Sequence, residues 1–221
     1  MEPGREIKNR VYLGGPGSGK SEIAMNTALE LARVCQGRVH LFDLDQTKPL
    51  LRSRNAQEKL ERGGVVLHYE KQIADEPVLT GGVAAYMLDQ DAQVILDVGG
   101  GEAGARLIGG FAHLLSRADT GVYYVINHYR PWNDEILSVD QTLSSVLRAA
   151  RVQKVHFLAN PALGPDTTAE EAVEGMKATQ EMLKPYAPLE AGYVMASLYD
   201  AVRHKIRLPL YPLTLCGQTF W

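Results

Sequence analysis

The run Gly14-Gly15-Pro16-Gly17-Ser18-Gly19-Lys20-Ser21 constrains this chain more than any other segment. It satisfies GxxxxGK[ST]. It follows the short apolar run Val11-Tyr12-Leu13 and precedes a stretch in which Ile23, Ala24, Ala28 and Leu31 recur at helical spacing. Strand, glycine loop and helix in that order form the context in which the motif carries meaning. The glycines let successive backbone N–H groups converge on phosphate oxygens, and the helix N-terminus adds the positive end of its dipole. Lys20 would neutralise the β- and γ-phosphates, and the Ser21 hydroxyl is placed to ligate Mg2+. Gly15, Pro16, Gly17, Ser18, Gly19, Lys20, Ser21 and Glu22 are therefore the expected nucleotide-binding residues, with Lys20 also a catalytic candidate.

The rest of the chain alternates short apolar runs with longer amphipathic stretches, the pattern of βαβ units around a mostly parallel sheet. Strands are expected at 10–13, 38–44, 65–69, 94–98, 121–127, 154–160 and 191–196. Helices are expected at 20–34, 80–89, 103–116, 134–151, 168–183 and 198–205. The Pro-interrupted stretch 208–215 reads as an edge strand or a tail. No Pro/Ser-rich linker or internal repeat divides residues 1–221, so a single nucleotide-binding domain is expected. Its class is a three-layer α/β P-loop NTPase fold, a mostly parallel central sheet flanked by helices.

Composition narrows the function. With 45% hydrophobic and 22% charged residues the chain can bury a core and is not a disordered segment. A net charge of −3 argues against a basic nucleic-acid-binding domain. Cys35 and Cys216 are the two cysteines and make no CxxC pair, so neither a thiolate metal site nor a disulfide framework is expected. The six histidines form no HxH or HExxH pattern and read as core or surface residues. The N-terminus lacks the apolar stretch of a signal peptide, no run is long enough to span a bilayer, and there is no basic amphipathic C-terminal helix. A cytoplasmic protein without a stable membrane anchor is the expectation.

A Mg-nucleotide site needs acids at the carboxyl ends of strands beside the phosphate loop. Val94-Ile95-Leu96-Asp97 ends in one, followed by Val98-Gly99-Gly100-Gly101. Asp97 reads either as a Walker B carboxylate opening into a glycine loop or as a cap of the next helix. Phe42-Asp43-Leu44-Asp45 ends in two, and alternation sets them on one side of an extended segment. One could hold a metal-bound water while the other orients the attacking water. The alternative is a solvated strand end.

Together the N-terminal P-loop, Phe42-Asp43-Leu44-Asp45 and Leu96-Asp97-Val98-Gly99-Gly100-Gly101 resemble the MinD/ParA/CooC/nitrogenase iron-protein group of the SIMIBI class, the CobQ/CobB/MinD/ParA nucleotide-binding domain. The resemblance covers most of the chain. Asp43 to Arg54 is similar to the DxD…NPxFRSR stretch of a MinD/ParA-like subgroup of unknown role, and Asn160 to Thr168 also fits it. The resemblance implies an ATP-driven, Mg2+-dependent switch. In it Asp43 and Asp97 serve the metal with Ser21, Asp45 positions the hydrolytic water, residues 45–55 and 98–106 move with nucleotide state, and a nucleotide-sandwich homodimer acts on a protein partner. One departure stands out: relatives carry a second, signature lysine in KGGxGK, and Gly15 occupies that position here. Arg52, Arg54 or Arg106 could supply the missing charge in trans, or be surface salt-bridging residues.

Asn160, followed by Pro161, carries the amide donor and acceptor that suit an adenine edge. It would equally make an Asx-turn, and Asn127 at the preceding strand end is a second candidate. Three functions are weighed: a slow ATPase switch, a nucleotide-binding module with little hydrolysis, and a small-molecule kinase. The last is disfavoured because Arg130, Arg148 and Arg151 form no lid-like pattern. The apolar tail through Phe220 and Trp221 is expected to pack on its own domain.

Overall fold

The structure is a computed structural model that describes residues 7–35, 37–45, 56–69, 82–131, 133 and 135–216. Eight strands form one sheet: β1 (Asn9–Gly14), β2 (Arg38–Leu44), β3 (Val65–His68), β4 (Ala92–Val98), β5 (Thr120–Ile126), β6 (His156–Ala159), β7 (Leu189–Met195) and β8 (Leu210–Leu213). Their order is β3-β2-β4-β1-β5-β6-β7-β8. Every pairing is parallel, so the sheet is parallel throughout rather than mostly so. The 208–215 stretch does supply an edge strand, β8, which carries Pro212.

The helices are α1 (Lys20–Val34), α2 (Gln57–Arg62), α3 (Val83–Leu88), α4 (Gly101–Ile108), α5 (Ala112–Leu115), α6 (Ile136–Ala150), α7 (Ala169–Leu183) and α8 (Tyr199–Val202), with 3-10 turns at Gly109–Phe111 and Ala196–Leu198. The single helix expected over 103–116 is therefore broken in two. At the break, a Cβ on Gly109 would come within 2.5 Å of the Ala149 carbonyl oxygen. α2 has no counterpart in the sequence pattern, because only Leu60 of its six residues is buried and no apolar period marks it. α7 opens on a capping box: Thr168 Oγ1 accepts from the Glu171 N–H, and the Glu171 carboxylate accepts from the Thr168 N–H.

Two apolar layers flank the sheet, and strand alternation assigns each residue to one of them. Val11, Leu13, Phe42, Leu44, Val94, Leu96, Val122 and Tyr124 join side chains of α3, α4, α6 and α7 on one face. Tyr12, Val39, Leu41, Ile95 and Val125 join α1 and Leu60 of α2 on the other. The arrangement is three layers, helix, sheet and helix. Right-handed crossovers require it: the chain steps from β1 through β2 to β3 with its helices on one face, then reverses direction and puts later helices on the opposite face. β1 lies between β4 and β5, so its carboxyl end opens at the reversal, where such sheets form a crevice.

Candidate functional site

The phosphate loop fills that crevice. β1 ends at Gly14 and α1 begins at Lys20. Within the turn the Ser18 N–H donates to the Gly15 carbonyl at 3.3 Å, and the Ile23 N–H donates to the Gly19 carbonyl at 3.1 Å to start the helix. Gly19 sits in the left-handed region at φ 88°, and a Cβ there would lie 2.0 Å from Asn160 Nδ2, so any other residue would be strained and would displace Asn160. The loop's carbonyls are tied from outside. Asn160 Nδ2 donates to the Ser18 carbonyl at 2.9 Å. Arg130 Nε donates to the Gly17 carbonyl at 3.2 Å, and Asn127 Nδ2 approaches the same oxygen at 3.5 Å. In a planar trans peptide C=O and N–H point in opposite senses. Anchoring the Ser18 carbonyl to Asn160 therefore sets the Gly19 N–H on the other side, with the partnerless amides of the first helical turn. That is a ready cradle for an anion.

The acids arrive on the neighbouring strand. Asp97 of β4 pairs in register with Tyr12 of β1 on one side and Asp43 of β2 on the other. It is 1% exposed. Ser21 makes a side-chain hydrogen bond to it, and Lys20, Asp43 and Asp45 all lie close enough to shift its charge. Burial pushes the Asp97 carboxyl up, to about 7; Lys20 pulls against that, Asp43 raises it further, the Ser21 bond lowers it, and Asp45 adds a smaller push upward. Asp45 is buried, and its N–H donates to Asp43 Oδ1 at 3.1 Å. The structure thus brings Lys20, Ser21, Asp43, Asp45 and Asp97 together.

The loop after β4 closes the site. A Cβ at Gly99 would lie 3.2 Å from Asp45 Oδ1, and one at Gly100 would lie 3.1 Å from the Pro16 nitrogen, so this loop rests on both the acidic strand end and the phosphate loop. A Cβ on Gly104 would fall 2.0 Å from the Gly99 carbonyl oxygen, which shows how tightly α4 is folded under its own leading loop.

Asn127 Nδ2 donates to the Ala162 carbonyl at 2.8 Å, and its Oδ1 accepts from the Tyr129 and Ala162 N–H groups. Pro161 is buried beneath α7, where a Cβ on Gly175 would lie 2.6 Å from its Cβ. The Glu22 carboxylate accepts from the Cys216 N–H at 2.8 Å, and Asn26 Oδ1 accepts from the Thr214 N–H, so the chain up to residue 216 folds back onto α1. Phe220 and Trp221 lie outside the described residues, as do Arg52, Arg54 and all of 45–55 but Asp45. Arg106 is on α4, exposed and paired with Glu102. Arg130 is a residue of the site that sequence reasoning does not find; its one signal is its place three residues beyond Asn127, in the loop at the carboxyl end of β5.

Among the described residues no three or more His, Cys, Asp and Glu side chains form a group that could hold a metal ion. A cation here would depend on the Ser21 hydroxyl, one or two carboxylates and phosphate oxygens, the hard-oxygen set that suits Mg2+. His40 Nδ1 and His68 Nε2 are 2.9 Å apart, packed against Phe42 and Tyr86, and burial lowers the pKa of both. Cys35 and Cys216 are free thiols. No described helix is long and apolar enough to cross a membrane.

No family model and no curated protein matches the sequence. Among solved structures, the chain is similar to the 54 kDa signal recognition particle protein of Aeropyrum pernix K1 in complex with GDP: 17% identity, TM-score 0.40, all of this chain but 45% of that one. It is similar to a nucleotide-binding protein in complex with ADP from Archaeoglobus fulgidus, at 18% identity and TM-score 0.38 over 94% of this chain and 83% of that one. It is also similar to FlhF complexed with GMPPNP and Mg2+, at 12% identity and TM-score 0.41 over 96% and 68%. The chain thus spans less than half of the first of these proteins.

Proposed function

We propose that this chain is a nucleotide-binding protein of MinD/ParA-like type, a slow Mg2+-dependent ATPase that switches the affinity of a protein partner. The observation that carries the reading is the meeting of Lys20, Ser21 and Asp97, with Asp43 and Asp45 beside them, at one strand reversal. Each part has a task. The amides from Gly15 to Glu22 and the Lys20 ammonium bind the phosphates and take up charge as it develops on them. Ser21, with Asp97 and Asp43 as carboxylate partners, would hold Mg2+, which neutralises phosphate charge when bound. Asp45 orients the attacking water. Asn160, beside Pro161, lines the base side while its amide nitrogen holds the Ser18 carbonyl. Loop 98–106, resting on Pro16 and Asp45, changes its contacts when the terminal phosphate leaves. A transient homodimer, a cytoplasmic location and ATP as the preferred nucleotide belong to the same reading.

Phosphate release in Mg2+ and ATP tests it. Wild type is expected to turn over slowly. Asp45→Ala is expected to lose most of that rate while still binding ADP, and Lys20→Ala to lose binding itself. No Mg-dependent phosphate release by wild type overturns the ATPase. The second reading, a nucleotide-binding regulator with little hydrolysis, is favoured by one observation: Gly15 stands where the resembled proteins carry a charge. It predicts tight ADP and ATP binding with phosphate release indistinguishable from Asp45→Ala.

A further inference from the structure

Away from the phosphate loop, α4 and α6 flank a half-open cavity of about 360 Å3 lined by Glu102, Arg106, Ser145, Arg148, Ala149 and Arg151. Three arginines and one glutamate line it, and the Glu102 carboxylate is already paired with Arg106. Among the described residues Arg148 and Arg151 have no ion-pair partner. The cavity is therefore locally positive on a chain whose net charge is −3.

A cation at the α6 C-terminus is favoured by the helix dipole, which explains one arginine in the last turn. It favours the charge of Arg151 in the same way, but it does not account for the backbone there. This residue closes α6 in the left-handed region at φ 57°, the only non-glycine described residue there, where glycine or asparagine is the ordinary choice. The chain keeps an arginine there against the steric preference of L-residues, and its side chain lines the cavity. Ala149 of the lining packs closely against the 3-10 turn after α4, where a Cβ on Gly109 would lie 2.5 Å from its carbonyl oxygen. α4 itself leads out of the loop that rests on Pro16 and Asp45.

We propose that this cavity docks an acidic segment of a protein partner, whose Asp or Glu carboxylates are taken bidentately by Arg148 and Arg151, and that α4 couples this docking to the phosphate site. Guanidinium forks match carboxylates in this way. The cavity has room for one or two such side chains and not for a duplex, and the overall negative charge opposes nucleic acid. The coupling half rests on the nucleotide reading; the docking half does not.

Fluorescence anisotropy of a labelled oligoglutamate peptide with the full chain at low salt tests both halves. Wild type is expected to bind, and Arg148→Gln with Arg151→Gly to lose at least about tenfold in affinity. Glycine relaxes the backbone at 151, so this variant should melt no lower than wild type. Reversal of two arginines on α1 and α2, Arg33→Glu with Arg62→Glu, should cost far less. Absence of peptide binding, an equal loss in the control, or tighter binding of a DNA duplex through the same arginines overturns the docking. For the coupling, Mg·ADP should shift peptide affinity in wild type and not in Lys20→Ala. If nucleotide binds and peptide affinity does not move, the coupling is overturned; if no nucleotide binds, the nucleotide reading fails and the docking stands.

Discussion

Replacing Asp97 by asparagine should make the nucleotide-free protein more stable at pH 8 while disabling its site. Asp97 is 1% exposed, and burial raises its carboxyl from 3.8 to about 7. A group whose pKa is higher folded than unfolded gives stability that is complete below the unfolded value and lost as pH climbs through the folded one. Wild type should therefore weaken between about pH 4 and pH 7 on account of this residue. Three pKa units correspond to roughly 4 kcal/mol. The side-chain amide of Asp97→Asn is neutral throughout and keeps part of the contact with Ser21, whose loss would cost about 1 kcal/mol. A net gain of about 3 kcal/mol at pH 8 raises the melting temperature by roughly 6–12 °C at this chain length. At pH 5 wild-type Asp97 is protonated and the two proteins should melt within a few degrees of each other. Circular dichroism melts at pH 5, 6.5 and 8 without nucleotide give the comparison. Adding Mg·ATP at pH 8 should stabilise wild type and scarcely move the variant, since ligand stabilises only in proportion to its binding. An equal difference at pH 5 and pH 8, or a variant that melts lower at pH 8, refutes the reasoning.

Asn160→Ala leaves the Ser18 carbonyl without its 2.9 Å partner. We expect a loss of about 1–2 kcal/mol in urea unfolding and weaker ADP binding in calorimetry; unchanged ADP affinity would mean the strut does not organise the cradle. Gly104→Ala puts a Cβ 2.0 Å from the Gly99 carbonyl oxygen. Alanine's better helix propensity, about 1 kcal/mol, should be outweighed, so the midpoint of denaturation falls; a rise would show that α4 is free to move.

Legibility in the sequence follows how local the cause is. α1 and β2 lie where expected because Gly19 and Gly37 stand just before them and apolar residues recur through them. The phosphate loop and the acids of β2 and β4 can be read because strand-end chemistry is written in consecutive residues. α2 cannot, since its one buried side chain gives no period. Nor can the break at Gly109, which depends on an α6 carbonyl forty residues further along. The same holds for Arg130 and Asn160. Their roles lie in bonds to Gly17 and Ser18 that span 113 and 142 residues, and a polar residue at a strand end shows nothing about which distant carbonyl it will hold. In the sequence Arg130 and Arg151 both look like scattered surface charge; their neighbours give them their meaning.

The central position of β1 also governs when the site can exist. Arg10 of β1 meets Gln93, 83 residues later, and Asn9 meets Thr120, 111 residues later. Such closures are entropically expensive and slow relative to local helix formation. The glycine loop follows β1 directly, yet it has no walls until β4 and β5 have been made and have threaded in on either side. Ligand capture thereby waits on strand pairings of high sequence separation, and a chain in which β4 or β5 is misplaced lacks the walls of the finished site.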